Sequence, residues 1–563
     1  MKISRLSLLL AGLLLVMPLA AQVNDSEPAD PAPGPQEAWL TVKKPMLAWG
    51  STDERYSRSQ VPQTAGTAAL YAWKGERVNA HAVVYTPADI ASLSFSVTDL
   101  KCGKKLIPSS CVEKYFGRYV LTSYNKSPDL TLSEDRLDPA ESMSVAANTT
   151  RPLWISVNVP ADAAPGKYKG SLQADCDGTV LSIPFTLEVA DKVLPPSAEW
   201  SFHLDLWQNP YAVARYYQVP LWSDEHFALM RPVMEKYASA GGKVITTSII
   251  QHPWNCQTFD PFESMIGKFK HMDGSWSYDY TVFDKWVEFM FSCGVTGQID
   301  CYSLVPWTYT FDYYDCGTNA VKLIKCKPVD PEYGEFFLPF LKDFAVHLKA
   351  RGWFDKTCIA MDERPMEDLH AAWDVVHAAD PEFRIEGAAK YYPTVEPNMF
   401  DLCIYYRDPI TPSEVIERRC SEGKFTTFYT CCGPVIPNTF TFSKPAESAF
   451  LGWYAMAGGY DGYLRWALNS WTEQPNQDSL YGKWPAGDCY LLYPGCTSIR
   501  FERLIEGVQA YTKMQILRRT ASAESLAALD SFLEKIKPNI MDDPEYDYPG
   551  IIREGNAILK SMK

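Results

Sequence analysis

Met361-Asp362-Glu363-Arg364-Pro365 sets two carboxylates side by side at the end of the apolar run KTCIAMDE (356–363). Such a pair can divide the work of an acid and an anion, because each charge discourages ionisation of the other. An acidic pair at a helix start is also simply favoured by the helix dipole. Aromatic residues gather at the ends of the neighbouring apolar runs: Tyr391, Tyr392, Tyr405, Tyr406, Tyr429, Trp466 and Trp471. A carboxyl pair ringed by Trp and Tyr suits cleavage of a sugar, with one acid protonating the departing oxygen and the rings stacking on the sugar. Consecutive strand residues point to opposite faces, so both neighbours reach one substrate only where the strand ends and the chain curls. Most glycosidases place their two carboxylates across the scissile bond. Adjacency instead suits substrate assistance, in which a 2-acetamido group of the sugar is the nucleophile.

Other candidates surround this pair. His203, Asp205 and Trp207 alternate along one run and share a face, read as the lumen side of a barrel; a polar layer at the barrel bottom is the alternative. Tyr405 is a candidate for hydrogen bonding an acetamide oxygen, with Tyr406 equally placed. Trp466, Asn469 and Trp471 end the last apolar run and face the same mouth. Trp484 and Tyr493 belong to a lid or to the core, and Arg500 and Arg503 are read as helix-surface residues.

These positions need a scaffold. From Trp39 to about Val193, short β-branched or alternating runs such as RVNAHAVVY (77–85) and RPLWISVNVP (151–160) are separated by Pro-Gly and Asp-Gly turns, the pattern of a β-sandwich. After Pro196, eight apolar runs alternate with amphipathic helical stretches: 200–207, 243–250, 297–304, 356–363, 383–390, 400–406, 425–431 and 462–468. That is the order of a (β/α)8 TIM barrel, whose chemistry sits on the segments following the strands. Three of those segments are long: 251–280, 302–333 and 469–498. The second reads as a hairpin turning near Gly317–Asn319, with Cys316 and Cys326 at different heights and unbonded. The division expected is a signal peptide at 1–21, a disordered linker at 22–38, a β-sandwich domain at 39–195 and a barrel catalytic domain with C-terminal helices at 196–563.

Composition narrows the partners. The 563 residues carry 53 Lys+Arg against 68 Asp+Glu, a net charge of −15, which argues against nucleic acid or an anionic membrane surface. Lys2 and Arg5 precede an apolar stretch, Leu6 to Val16, too short to span a bilayer; with Leu19-Ala20-Ala21 before Gln22 it reads as a cleaved export signal to the periplasm or exterior. Nothing later reaches spanning length. The 15 Cys form no CxxC pair and no zinc-like cluster with His, so no metal is expected, and most read as small buried apolar residues. Cys431 and Cys432 are adjacent, read as packing rather than as a vicinal disulfide.

AWKGERVNAHAVVY (72–85), APGKYKGSL (164–172), FHLDLWQNP (202–210), MDERP (361–365), GYLRWALNSW (462–471) and LLYPG…SIRFERLIEGVQAY (491–511) together resemble glycoside hydrolase family 123, the N-acetyl-β-galactosaminidases. The resemblance covers nearly the whole mature chain. It implies a β-sandwich followed by a (β/α)8 barrel, retaining substrate-assisted cleavage, and Asp362 and Glu363 as the catalytic pair. Asp362 would hold and stabilise the acetamide and Glu363 would be the acid/base. Broader relatives of this region carry Asp-Glu-Pro, whereas Arg364 intervenes here. The expectation is an exported, exo-acting enzyme without cofactor, acting on a GalNAc-terminated oligosaccharide or glycosphingolipid headgroup. Its rivals are a two-carboxylate retaining β-glycosidase with Asp408 or Glu473 as second acid, and a non-catalytic glycan-binding surface protein.

Overall fold

A computed structural model describes residues 26–255, 257–407, 411–536 and 540–562. The expected signal peptide lies outside them. The first domain is two antiparallel sheets face to face. One contains 46–49, 77–86, 149–158, 112–123 and 130–138. The other contains 68–74, 179–193, 166–176, 90–97 and 142–145, with a short hairpin at its margin. In the strand 166–176, Tyr168, Leu172, Ala174 and Cys176 turn to the core between the sheets while Lys167, Lys169 and Gln173 face outward, the alternation a half-buried strand requires. Strand 179–193 pairs parallel with 68–74, although the other pairs in this sheet are antiparallel.

The expected linker is not loose over its described part. Glu27 sits against Arg151 (2.6 Å), Arg118 (3.4 Å) and Arg58 (3.5 Å). These guanidiniums overcome burial and hold its carboxyl down at about 2. Acidic, Pro-rich composition suggested a tether; three arginines on the sandwich face made a binding site for it.

The second domain is a barrel of eight parallel strands, labelled here β1 His203–Leu206, β2 Val244–Ser248, β3 Gln298–Tyr302, β4 Thr357–Met361, β5 Arg384–Ala389, β6 Asp401–Tyr405, β7 Phe425–Tyr429 and β8 Gly462–Arg465. The order is β1-β8-β7-β6-β5-β4-β3-β2. A parallel bridge between Leu204 and Gly242 brings β1 to the entry of β2. All eight expected apolar runs contain their strand. The helix Asp224–Ser239 starts where Ser223 accepts a hydrogen bond from the His226 N–H (3.2 Å). Pro331–Arg351 buries Phe336, Phe340, Phe344 and Leu348, one apolar face, and ends at Gly352 with φ 71°.

The hairpin expected in 302–333 forms between 310–315 and 320–325 and joins 267–270 and 276–279 in a small four-stranded sheet. All described cysteines are free thiols, Cys316 and Cys326 included.

The two domains are stitched together. Thr497–Ser498 adds a short strand to the sandwich sheet, opposite Leu137 and Arg136. The helix that follows, Ile499–Thr520, is lodged between the domains, so Arg500 and Arg503 are buried rather than on a surface. Arg500 pairs with Asp135 of the sandwich (2.8 Å) and donates to the carbonyls of Thr439, Gly487 and Tyr490. Arg503 pairs with Asp53 (2.6 Å). Among the described residues no helix is long and apolar enough to cross a membrane.

Candidate active site

β4 ends at Met361, and there the chain curls as the shared use of two neighbouring side chains requires. The Glu363 N–H donates to Asp362 Oδ1 (2.8 Å), and both side chains line one cavity of about 630 Å³ at the C-terminal end of the barrel. Asp362 Oδ2 faces the indole N–H of Trp307 (3.4 Å). Burial raises the Asp362 carboxyl above its ordinary range, against the opposing pull of the Glu363 N–H, the Trp307 N–H and the Arg364 charge. Glu363 accepts a hydrogen bond from the Tyr429 hydroxyl at the end of β7. Arg364 turns away and stacks over Trp307 and Tyr309, 4.5 and 5.0 Å from the ring centres.

Trp207, Trp254, Trp307, Trp466, Tyr481 and Trp484 also line the cavity. Trp207 packs on Trp254 at 4.9 Å and on Tyr302 at 4.5 Å. Trp466 meets Trp484 edge-on at 5.6 Å and donates its N–H to Asp488 (3.0 Å), which Arg465 holds by a buried ion pair of 2.7 Å. Trp484 donates to the Gln257 carbonyl (2.9 Å), tying two of the long segments together. The sandwich supports that lid. Leu121 exchanges backbone hydrogen bonds with Gln477 (2.8 Å) and Ser479 (3.1 Å), and the hydroxyls of Thr122, Thr441 and Ser479 form a chain with steps of 2.8 and 2.9 Å.

The expected site residues fall into two groups. Asp362, Glu363, Trp207 and Trp466 meet in the cavity. His203 and Asp205 are buried and do not line the cavity, and Asp205 lies directly behind Trp207. His203 stacks on Phe425 and lies 2.9 Å from Asp401. Asp205 accepts the Trp207 indole N–H (3.1 Å), and burial pushes its carboxyl up to about 7. Asn469 is buried and clamps the backbone of Asn209 at both its N–H and its carbonyl (2.9 Å each), and Trp471 is fully buried with its N–H on the Leu492 carbonyl. Tyr405 stands behind Tyr429, stacked at 5.1 Å, outside the lining; Tyr406 is in the core, donating to the Ile540 carbonyl. Tyr493 is core as well, with its hydroxyl on Asp135. Of the alternative second acids, Asp408 lies outside the described residues, and Glu473 offers its backbone carbonyl to Arg215.

Trp254, Trp307, Tyr481 and Asp488 were not singled out from sequence. Their signal was position, aromatic or acidic residues in the three long segments after β2, β3 and β8. Among the described residues no group of three or more His, Cys, Asp and Glu is arranged to hold a metal ion.

Comparison with known proteins places this geometry. Residues 207–517 match the family model for the glycoside hydrolase 123 catalytic domain, and 49–175 match that for the glycoside hydrolase 123 N-terminal domain. Among solved structures, a family 123 glycoside hydrolase from Clostridium perfringens, described for glycolipid glycan hydrolysis, aligns over 92% of this chain and 97% of its own, with TM-score 0.85 and 27% identity. A β-glucuronidase from Parabacteroides merdae aligns over 84% of this chain and 52% of its own, with TM-score 0.31 and 9% identity, too distant to inform the site. Nothing among curated proteins matches.

Proposed function

The chain belongs to glycoside hydrolase family 123, and on that premise we propose that it is an exported, exo-acting N-acetyl-β-galactosaminidase that retains configuration through substrate assistance. The observation that carries this reading is the adjacent pair Asp362 and Glu363, both in one Trp-lined cavity and linked by a backbone hydrogen bond. The Clostridium perfringens relative's description as acting on glycolipid glycans supports a glycan or glycolipid headgroup as substrate.

In the first step the sugar's acetamide carbonyl oxygen attacks the anomeric carbon. Glu363, steadied by Tyr429, gives its proton to the departing glycosidic oxygen. The product is a cyclic oxazolinium. Asp362 accepts its N–H, and the growing positive charge favours the carboxylate over the acid form that burial favours at rest. Water then enters, Glu363 takes its proton, and the ring opens with the original configuration. The aromatic walls supply flat apolar surface for the sugar's C–H face. The chemistry requires neither metal nor organic cofactor.

Paired chromogenic β-glycosides of GalNAc and GlcNAc test the assignment. Preferential hydrolysis of the GalNAc compound is expected. Equal or reversed preference would overturn the sugar assignment, and binding without turnover of either would favour a glycan-binding protein.

A further inference from the structure

Cys431 and Cys432 follow Tyr429 by two and three residues, and both line the catalytic cavity. Their sulfurs are 4.0 Å apart and unbonded. The mechanism above uses neither. The Cys431 N–H closes a tight turn onto the Gly433 carbonyl (3.1 Å), which keeps the two thiols on the same bend. The hydrogen bond from the neighbouring Cys431 thiol, helped by the charge of Lys126, lowers the Cys432 thiol against burial and the Asp488 carboxylate, which raise it. The same contact and burial raise the Cys431 thiol, so Cys432 ionises first and is the nucleophile of the two.

We infer that Cys431 and Cys432 form a thiol-modification site in the wall of the active site, a vicinal dithiol that exchanges with small disulfides and closes into a Cys431–Cys432 disulfide. In the first step the Cys432 thiolate attacks one sulfur of the small disulfide, forming a mixed disulfide and releasing one thiolate. The Cys431 thiol then loses its proton and attacks the Cys432 sulfur, releasing the second small thiol. The dithiol is oxidised by two electrons and the small disulfide is reduced to two thiols. Neighbouring Cα atoms are ~3.8 Å apart, shorter than the spacing of an ordinary disulfide, so the closed ring is strained and easily reduced. Closure brings sulfurs from 4.0 Å to bonding distance and shifts the bend next to Tyr429, whose hydroxyl steadies Glu363. The closed form therefore holds its acid/base poorly.

Full-length protein with Cys420→Ser, which removes the exposed cysteine among the described residues, is treated with oxidised glutathione and analysed by intact mass and peptide mapping. The expected product has lost two hydrogens, keeps no glutathione and has Cys431 joined to Cys432. Adding Cys431→Ser should leave the mixed disulfide trapped on Cys432. A glutathione adduct elsewhere, or no reaction at either residue, overturns the site. The second arm rests on the proposed hydrolase reading: GalNAc-glycoside hydrolysis should fall in proportion to the closed fraction and return with dithiothreitol. Closed protein of undiminished activity overturns the coupling to Glu363. Absence of turnover before oxidation counts against the hydrolase reading alone, since mass detects the disulfide without it.

Discussion

Two groups of acids occupy one barrel. At its mouth, Asp362 and Glu363 follow β4 and face a cavity. Below them, Asp205, Asp300, Glu386 and Asp401 are buried on β1, β3, β5 and β6. Gln298 donates to both Asp300 (2.9 Å) and Asp401 (3.0 Å), Tyr302 donates to Glu386 (3.1 Å), and His203 faces Asp401. Burial raises the carboxyls of Asp205, Asp300 and Glu386. Shifted carboxyls are therefore no sufficient sign of catalysis here. What separates the groups is access: the upper pair meets open space and aromatic walls, while the lower group is sealed in the interior and reaches the cavity wall through the Asp205–Trp207 hydrogen bond.

The widest separation should come from Glu363→Gln. Losing a general acid typically costs ~10²–10⁴-fold in rate. The loss should shrink for a highly acidic phenol leaving group, which departs without a proton, and circular dichroism should show an intact fold. A near-normal rate on a natural glycan would remove Glu363 from the acid/base role.

Asp362→Asn should follow. The amide keeps the shape and removes the charge that the proposed mechanism sets against the oxazolinium, so kcat should fall by roughly 10²–10³-fold, the scale of losing a key electrostatic contact, with KM much less changed. Steady-state kinetics on the GalNAc glycoside decide this; unchanged kcat would leave Asp362 a structural role only.

Trp307→Ala should act more weakly and differently. It removes an exposed ring beside Asp362, and an aromatic contact of ~1 kcal/mol corresponds to a rise of several-fold in KM. A change confined to kcat would show that the ring serves Asp362 rather than the sugar.

The lower group should be nearly silent in turnover and visible in stability. A carboxyl raised by folding stabilises the native state below its unfolded pKa, and that contribution is lost as pH rises through the folded value, about 7 for Asp205. The layer therefore weakens the fold as pH rises from about 4 to 7. Glu27 acts below this window, since its stabilisation is present above about 4.5 and lost towards 2. His226, held low by burial, works in the opposite sense within the window, so a variant difference is needed. Asp300→Asn should flatten the fall in urea midpoint as pH rises above about 4 while leaving kcat little changed. An identical pH slope would mean that the layer carries no such load.

The same contrast explains what the sequence revealed. Period-two and helical patterns located both domains and all eight barrel strands, because burial imposes those periods on the side chains. Asp362 and Glu363 were legible because a strand terminus allows neighbours to share a face. His203, Asp205 and Trp207 were legible as one face but not as three depths: alternation reports side and not height. Asn469 and Trp471 sit just past β8, where the chain has already turned from the mouth to pack on the segment after β1, Asn469 on Asn209 and Trp471 on Tyr216 and Tyr217. The aromatic wall from Trp254, Trp307 and Tyr481 depends on how three long segments fold over one another, and no local period encodes that.

The central claim is that the sugar's own acetamide is the nucleophile beside Asp362 and Glu363. A thiazoline mimic of the cyclised intermediate and a 2-fluoro sugar tested on one preparation address it most directly. The account predicts tight competitive inhibition by the thiazoline, because it resembles a species near the transition state. It also predicts no covalent sugar–protein ester by mass spectrometry and no cleavage of the plain 2-hydroxy β-galactoside. Labelling of an Asp or Glu by the 2-fluoro sugar, with no thiazoline inhibition, would contradict it.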